Sequence, residues 1–229
     1  MNTSPPEFDV PPYRSSGVVY GVALNDPAAI EALGDAVLAA PYRGAPVAPV
    51  LYLKPRNTLG RSGDAIGIPR DAEGLQIGAT LGMVIGRTAC RVAADAAMTA
   101  VAGYLLAVDL DLPHRSFHRP GVRLKALDGS CLLGSILLPL HPPADPSNLP
   151  ITVSVDQQPV RRFDLQGMHR GPARLLADVT EFMTLRPGDV LLLGTRAEPA
   201  LARPNQRFTV EAPGLGRLDG RVAVEAEMS

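Results

Sequence analysis

Between residues 75 and 86 the chain reads LQIGATLGMVIG, and apolar side chains fall on every second position: Leu75, Ile77, Ala79, Leu81, Met83 and Ile85. The residues between them, Gln76, Gly78, Thr80 and Gly82, are small or polar. A period of two sends the two sets to opposite faces of a β-strand, so one face belongs to a core and the other is nearly bare. Bare strand faces are where a ligand or another backbone comes close.

The same reading extends along the chain. Residues 16–24 predict a first strand, followed by a helix over 27–40. Asn25 or Asp26 caps that helix, Pro27 sits in its first turn, and Ile30, Leu33, Val37 and Leu38 share one face. Residues 50–54 form a short strand ending at Lys54-Pro55, and 58–69, with Gly60, Gly63 and Gly67, form a turn-rich excursion. Ala97, Val101 and Leu105 recur at helical spacing, which predicts a helix over 93–106 with Tyr104 in the core and Asp109, Asp111 and Pro113 beyond its end. Residues 114–124 are basic and irregular, and 130–139 are strand-like. Residues 151–155 and 158–163 predict a hairpin about Asp156-Gln157, and 173–185 a short amphipathic helix before the turn Arg186-Pro187-Gly188-Asp189. Residues 190–194, 207–212 and 220–226 complete the strands, and residues 1–16 read as a flexible arm. Many short strands with few helices predict an α+β fold built on β-sheets.

Composition narrows the classes. With 229 residues, 46% of them hydrophobic, the chain buries a substantial core, and disorder is excluded. A net charge of −1 argues against a general binder of nucleic acid or membrane surfaces. Cys90 and Cys131 match no metal-ligand spacing and lie in apolar surroundings, so both read as buried free thiols of a reducing compartment. No signal-peptide pattern and no bilayer-length apolar run is present, and the expected location is cytoplasmic.

Four motifs then fall in order: LYLKPRNTL at 51–59, LGMVIGR at 81–87, AGYLLAVDL at 102–110 and LRPGDVLLLGT at 185–195. Together they resemble the fumarylacetoacetate hydrolase family, across residues 17–226. Within it, GVVYGVAL at 17–24 and LPHRSFHRPGVRLKALDGSCLLG at 112–134 are similar to the N-terminal half of the bifunctional decarboxylase/isomerases of 4-hydroxyphenylacetate catabolism. The resemblance implies a mixed β-roll or sandwich with a few short helices, a single such domain over 17–229, and a homodimer or a hetero-oligomer with a related subunit. The partner molecule it implies is a small di- or tricarboxylic keto or enol acid.

The family's chemistry implies a divalent Mg²⁺ or Mn²⁺ that stabilises an enolate as a Lewis acid. Its usual ligands are two glutamates at i and i+2 on a strand, a spacing that puts both on one face, and a later aspartate. Those positions are Gly78, Thr80 and Asp109 here, so two of the three carboxylates are missing. Asp109 otherwise reads as a helix-ending residue satisfied by backbone or an arginine. Lys125 matches the lysine that steadies the substrate's oxyanion, and otherwise reads as a surface loop lysine. Lys54, whose direction Pro55 sets, and Thr195, whose hydroxyl closes the 185–195 motif, are candidate substrate-binding residues, with structural readings beside them. Arg115, Arg119 and Arg123, with His114 and His118, suit the recognition of several carboxylates or form a solvated basic loop. No histidine precedes His114, so the lid Glu–His pair of hydrolytic members is missing, which favours decarboxylation or tautomerisation over C–C hydrolysis. Three readings follow. The chain acts on 5-oxopent-3-ene-1,2,5-tricarboxylate and 2-hydroxyhepta-2,4-diene-1,7-dioate as a decarboxylase/isomerase subunit; it is a metal-deficient pairing subunit of a metal-competent paralogue; or it stabilises the enolate with lysines and arginines alone.

Overall fold

A computed structural model describes residues 17–114, 116–118, 121–139 and 146–224. The elements run β1 (Val19–Ala23), α1 (Pro27–Glu31), β2 (Val50–Lys54), β3 (Leu59–Gly60), β4 (Ala65–Ile68), β5 (Leu75–Ile85) and β6 (Val101–Asp111). They continue with α2 (Val122–Lys125), β7 (Cys131–Leu133), β8 (Leu138–Pro139), β9 (Ile151–Val155), β10 (Gln158–Phe163) and α3 (Pro172–Thr180). The last strands are β11 (Val190–Leu192), β12 (Ala200–Ala202), β13 (Arg207–Ala212) and β14 (Gly216–Val224). The predicted arm over 1–16 lies outside the described residues.

Two sheets carry the fold. The larger has the order β2-β1-β11-β5-β6-β7-β3, with β12 also pairing with β5 and β8 with β6; the smaller has the order β10-β9-β13-β14-β4. This is the expected mixed α+β architecture. Its main core lies between the sheets, where Ile77, Leu81 and Met83 of β5 and Leu106, Val108 and Leu110 of β6 join Val153, Val210 and Val222 of the smaller sheet. The opposite face of β5 is bare only in part. One half is covered by a second apolar cluster of Val19, Val84, Leu105, Ala107, Cys131, Val190 and Leu192. The other half, at Gln76, Gly78 and Thr80, faces polar side chains of β6, because Gly78 pairs with Asp109 and Gln76 with Asp111.

Several expectations are corrected. Residues 93–106 are not a helix: only Ala97–Ala100 makes a 3₁₀ turn, and Val101 onward is the long strand β6. Its continuous apolar run fits a buried helix or a strand buried on both faces, and the ten register pairs with β5 decide for the strand. Tyr104 is core, as expected, but on a strand. The helix over 27–40 shortens to α1 and a 3₁₀ turn at Gly34–Val37, since Gly34 adopts a φ of +51°; its apolar face is not buried, and Leu38 is 74% exposed. Asp26, not Asn25, caps α1, accepting from the Ala28 amide at 3.3 Å. The helix over 173–185 is α3, ending at Thr180, and the strand over 190–194 ends at Leu192. The excursion at 58–69 contains β3 and β4, and β12 was not anticipated. Cys131 is buried, but Cys90 is exposed. The hairpin at Asp156-Gln157 forms as predicted, with φ of +48° and +68°. No helix among the described residues is long and apolar enough to cross a membrane.

Candidate active site

The polar half of the β5–β6 face is built from three strands and one helical turn. Lys54 ends β2 and is fixed in direction by Pro55. Tyr52, two residues earlier, lies across Gly21 of β1, where an added Cβ would fall 2.2 Å from the ring, so only glycine admits it. Asp109 and Asp111 project from β6, and Lys125 enters from α2.

Lys54 Nζ sits 2.7 Å from Asp109 Oδ1, with both side chains fully excluded from solvent. Among the described residues no hydrogen-bond donor is aligned on Asp109 Oδ1, and the attraction there is one of charge. Lys54 also donates to the Lys125 carbonyl and to Ser130 Oγ at 3.2 Å. The Tyr52 hydroxyl donates to Asp109 Oδ2. Lys125 Nζ pairs with Asp111 Oδ2, stands 3.8 Å from Asp109 Oδ2, and lies 4.2 Å from the Tyr52 ring centroid.

Charge states follow from this packing. Burial works against the Asp109 carboxylate, but the charges of Lys54 and Lys125 outweigh it and hold the group below the usual carboxylate range. Burial likewise opposes the Lys54 ammonium, and Asp109 outweighs it, raising Lys54. Asp111 goes the other way: burial first, then the neighbouring Asp109 charge, push it up to about 7 despite Lys125. Its Oδ1 is buried without a hydrogen-bond partner among the described residues. Burial raises Tyr52 well above the ordinary tyrosine value and lowers His114.

Beside this knot opens a cavity of about 460 Å³. Its polar lining includes Gln76, Asp111, His114, Lys125, Thr195 and Arg196; Val22, Leu24, Leu33 and Phe117 supply apolar wall. Asp26 ties this wall together, accepting from the Ala197 amide at 2.7 Å while pairing with Arg196 at 3.3 Å.

The structure thus brings together Lys54, Asp109, Lys125 and Thr195 of the residues predicted from sequence. Asp109 does not end a helix, and its charged partners are lysines, not arginines. Lys125 is buried on a helical turn rather than exposed in a loop. Arg123 is exposed on α2, and Arg115 and Arg119 lie outside the described residues. Tyr52, Gln76 and Asp111 were missed. The spacing Asp109-x-Asp111 was the available signal, since i and i+2 share a face only on a strand, and reading 93–106 as a helix hid it.

The residues present do not fit a divalent cation. Asp109 Oδ1 already faces the Lys54 ammonium and Oδ2 accepts from Tyr52, and two ammonium groups lie within 4 Å of the carboxylate. Thr80 donates its hydroxyl to the Gly194 carbonyl. A Cβ on Gly78 would fall 2.4 Å from the Asp109 carbonyl oxygen and 2.8 Å from the Thr195 methyl. The end of the 185–195 motif therefore seals both positions where the family resemblance puts glutamates. Among the described residues, no group of three or more His, Cys, Asp or Glu is placed to hold a metal.

This is a mixed β fold presenting a lysine–carboxylate site at the end of its two longest strands. The chain belongs to the fumarylacetoacetate (FAA) hydrolase C-terminal family, whose sequence pattern matches residues 18–223. It is 37% identical over 213 residues to a 4-hydroxyphenylacetate degradation bifunctional isomerase/decarboxylase of Salmonella dublin, covering 93% of this chain and 48% of that protein. It thus spans about half the length of that curated relative. A 5-carboxymethyl-2-hydroxymuconate delta-isomerase from Mycobacterium smegmatis superposes with a TM-score of 0.75 at 26% identity, over 92% of this chain and 80% of that one. A fumarylpyruvate hydrolase from Pseudomonas aeruginosa, solved in complex with Mn²⁺ and pyruvate, superposes with a TM-score of 0.74 over 98% of both chains; at 23% identity it shows the fold alone.

Proposed function

We propose that this chain is one half of a decarboxylase/isomerase of 4-hydroxyphenylacetate catabolism, a subunit that pairs with a related one. The substrates of that assembly are 5-oxopent-3-ene-1,2,5-tricarboxylate and its decarboxylation product, 2-hydroxyhepta-2,4-diene-1,7-dioate. The observation that carries this reading is the match of 93% of the chain to 48% of a bifunctional isomerase/decarboxylase. The cavity supports the substrate class. In decarboxylation the C–C bond electrons of the departing carboxylate move to a carbonyl oxygen, and a cation facing that oxygen lowers the barrier. Lys125 is a cation at the cavity wall, with Arg196 beside it, and Thr195 offers a hydroxyl to a substrate carboxylate. Asp111, pushed up to about 7, holds or yields a proton near neutrality, as tautomerisation requires.

A second reading makes the chain a catalytically degenerate pairing subunit. The Lys54–Asp109 contact of 2.7 Å favours it, since the carboxylate that would hold a metal is already neutralised. The two are separated by assaying the tricarboxylate with the chain alone, with EDTA, and mixed with a family subunit that carries both glutamates. CO₂ release by the chain alone in EDTA supports chemistry by Lys125 and Asp111. Release that needs the second subunit supports pairing. No association and no turnover in any mixture rejects both.

A further inference from the structure

We propose that Lys54 is the resident cation of this site: its ammonium holds the charge position beside Asp109 that the family resemblance gives to a divalent metal. The inference deepens the pairing reading and rests on it. Three observations carry it. The ammonium is 2.7 Å from the carboxylate, and neither side chain has any exposure. Its remaining donors are taken by the Lys125 carbonyl and Ser130, so it is held as a built group and not as a mobile tail. The two strand positions that would complete a metal shell are closed, Thr80 by its bond to Gly194 and Gly78 by the Asp109 backbone and the Thr195 methyl.

The physical logic is that a carboxylate this deeply buried must have a counter-charge. A family site with three carboxylates needs a divalent ion to offset them. A site with one carboxylate facing Lys54 needs only a monovalent cation, and an ammonium tethered by strand β2 supplies it without a dissociable ligand. With positions 78 and 80 closed, the inward lysine of the 51–59 motif is the nearest cation to the carboxylate. A second positive ion would meet Lys54 and Lys125 within a few ångströms in a dry environment, where like charges repel strongly.

The test uses the full chain and two probes, Mn²⁺ followed by electron paramagnetic resonance and ethylammonium. Wild type is expected to leave the free Mn²⁺ signal unchanged. Lys54→Ala is expected to lower Tm by roughly 6–20 °C, the shift that corresponds to breaking a buried ion pair in a chain of this size. Ethylammonium, which replaces the missing amine, is expected to restore most of that loss. Should Lys54→Ala not fold, the double variant Lys54→Met/Asp109→Asn decides, because it removes both charges together. Folding of the double variant, with a Tm above that of Lys54→Met and no response to either cation, supports the proposal. Uptake of one equivalent of Mn²⁺ by wild type with micromolar affinity overturns it. So does a Lys54→Met variant as stable as wild type, or a double variant no better than the single one. None of these readouts involves turnover or assembly, so failure of the pairing reading shows separately, as absence of association with a second subunit.

Discussion

The Lys54 ammonium lies 2.7 Å from Asp109 Oδ1, with no solvent access to either side chain. This contact joins β2 at one edge of the large sheet to the central strand β6. Removing the acid should be costly, because the lysine is left charged and buried. Asp109→Asn is expected to lose about 3–5 kcal/mol in urea denaturation near neutral pH. A loss below about 1 kcal/mol would show that water reaches the pair. The pH dependence has a defined sign. Asp109 is held below its unfolded value, so its contribution is present above the unfolded pKa and is lost as pH falls through the folded one.

Asp111 behaves oppositely. Its carboxyl is raised to about 7, against about 3.9 for an unfolded aspartate. The folded state then binds the extra proton, so Asp111 weakens the fold progressively as pH rises from about 4 to 7. Asp111→Asn removes that penalty. Its stability relative to wild type should climb across this range, by up to roughly 4 kcal/mol. Urea midpoints of both proteins between about pH 4 and 8 check this, and parallel curves would contradict it.

Gly78 is required by contact, not by backbone angle. Its missing Cβ would sit 2.4 Å from the Asp109 carbonyl oxygen, and a backbone atom cannot swing aside. Gly78→Ala should destabilise by about 1–3 kcal/mol. Placing glutamates at 78 and 80, where the family resemblance puts two metal ligands, is expected to disrupt the strand. Mn²⁺ binding by a folded Gly78→Glu/Thr80→Glu variant would refute this.

The cysteines give a simple check on burial. Cys90 is exposed, whereas burial pushes the Cys131 thiol up to about 12. A disulfide-exchange reagent should titrate one thiol per native chain promptly and the second only on unfolding. Prompt reaction of both would place Cys131 at the surface.

Much of this protein was legible in its sequence. The alternation from Leu75 to Ile85 is local, and it fixed both the strand and the face that points to the site. The hairpin at Asp156-Gln157 and the turn before Val190 were legible for the same reason, since turn chemistry acts over four residues. The absence of two carboxylates needed only the residue names at 78 and 80. Other features were not local. Val101–Asp111 is apolar on both faces, so no period marks it, and only its pairing with β5 makes it a strand and sets Asp109 and Asp111 side by side. The helix over 27–40 was read from an apolar stripe that the described fold leaves unburied. Most of all, the sequence identified Lys54, Lys125 and Asp109 as separate candidates, 71 residues apart at their widest, between Lys54 and Lys125. Their union into one charge-compensated knot follows from where β2, β6 and α2 meet. Coulombic pairing in a dry interior depends on distance in space, which chain order does not encode.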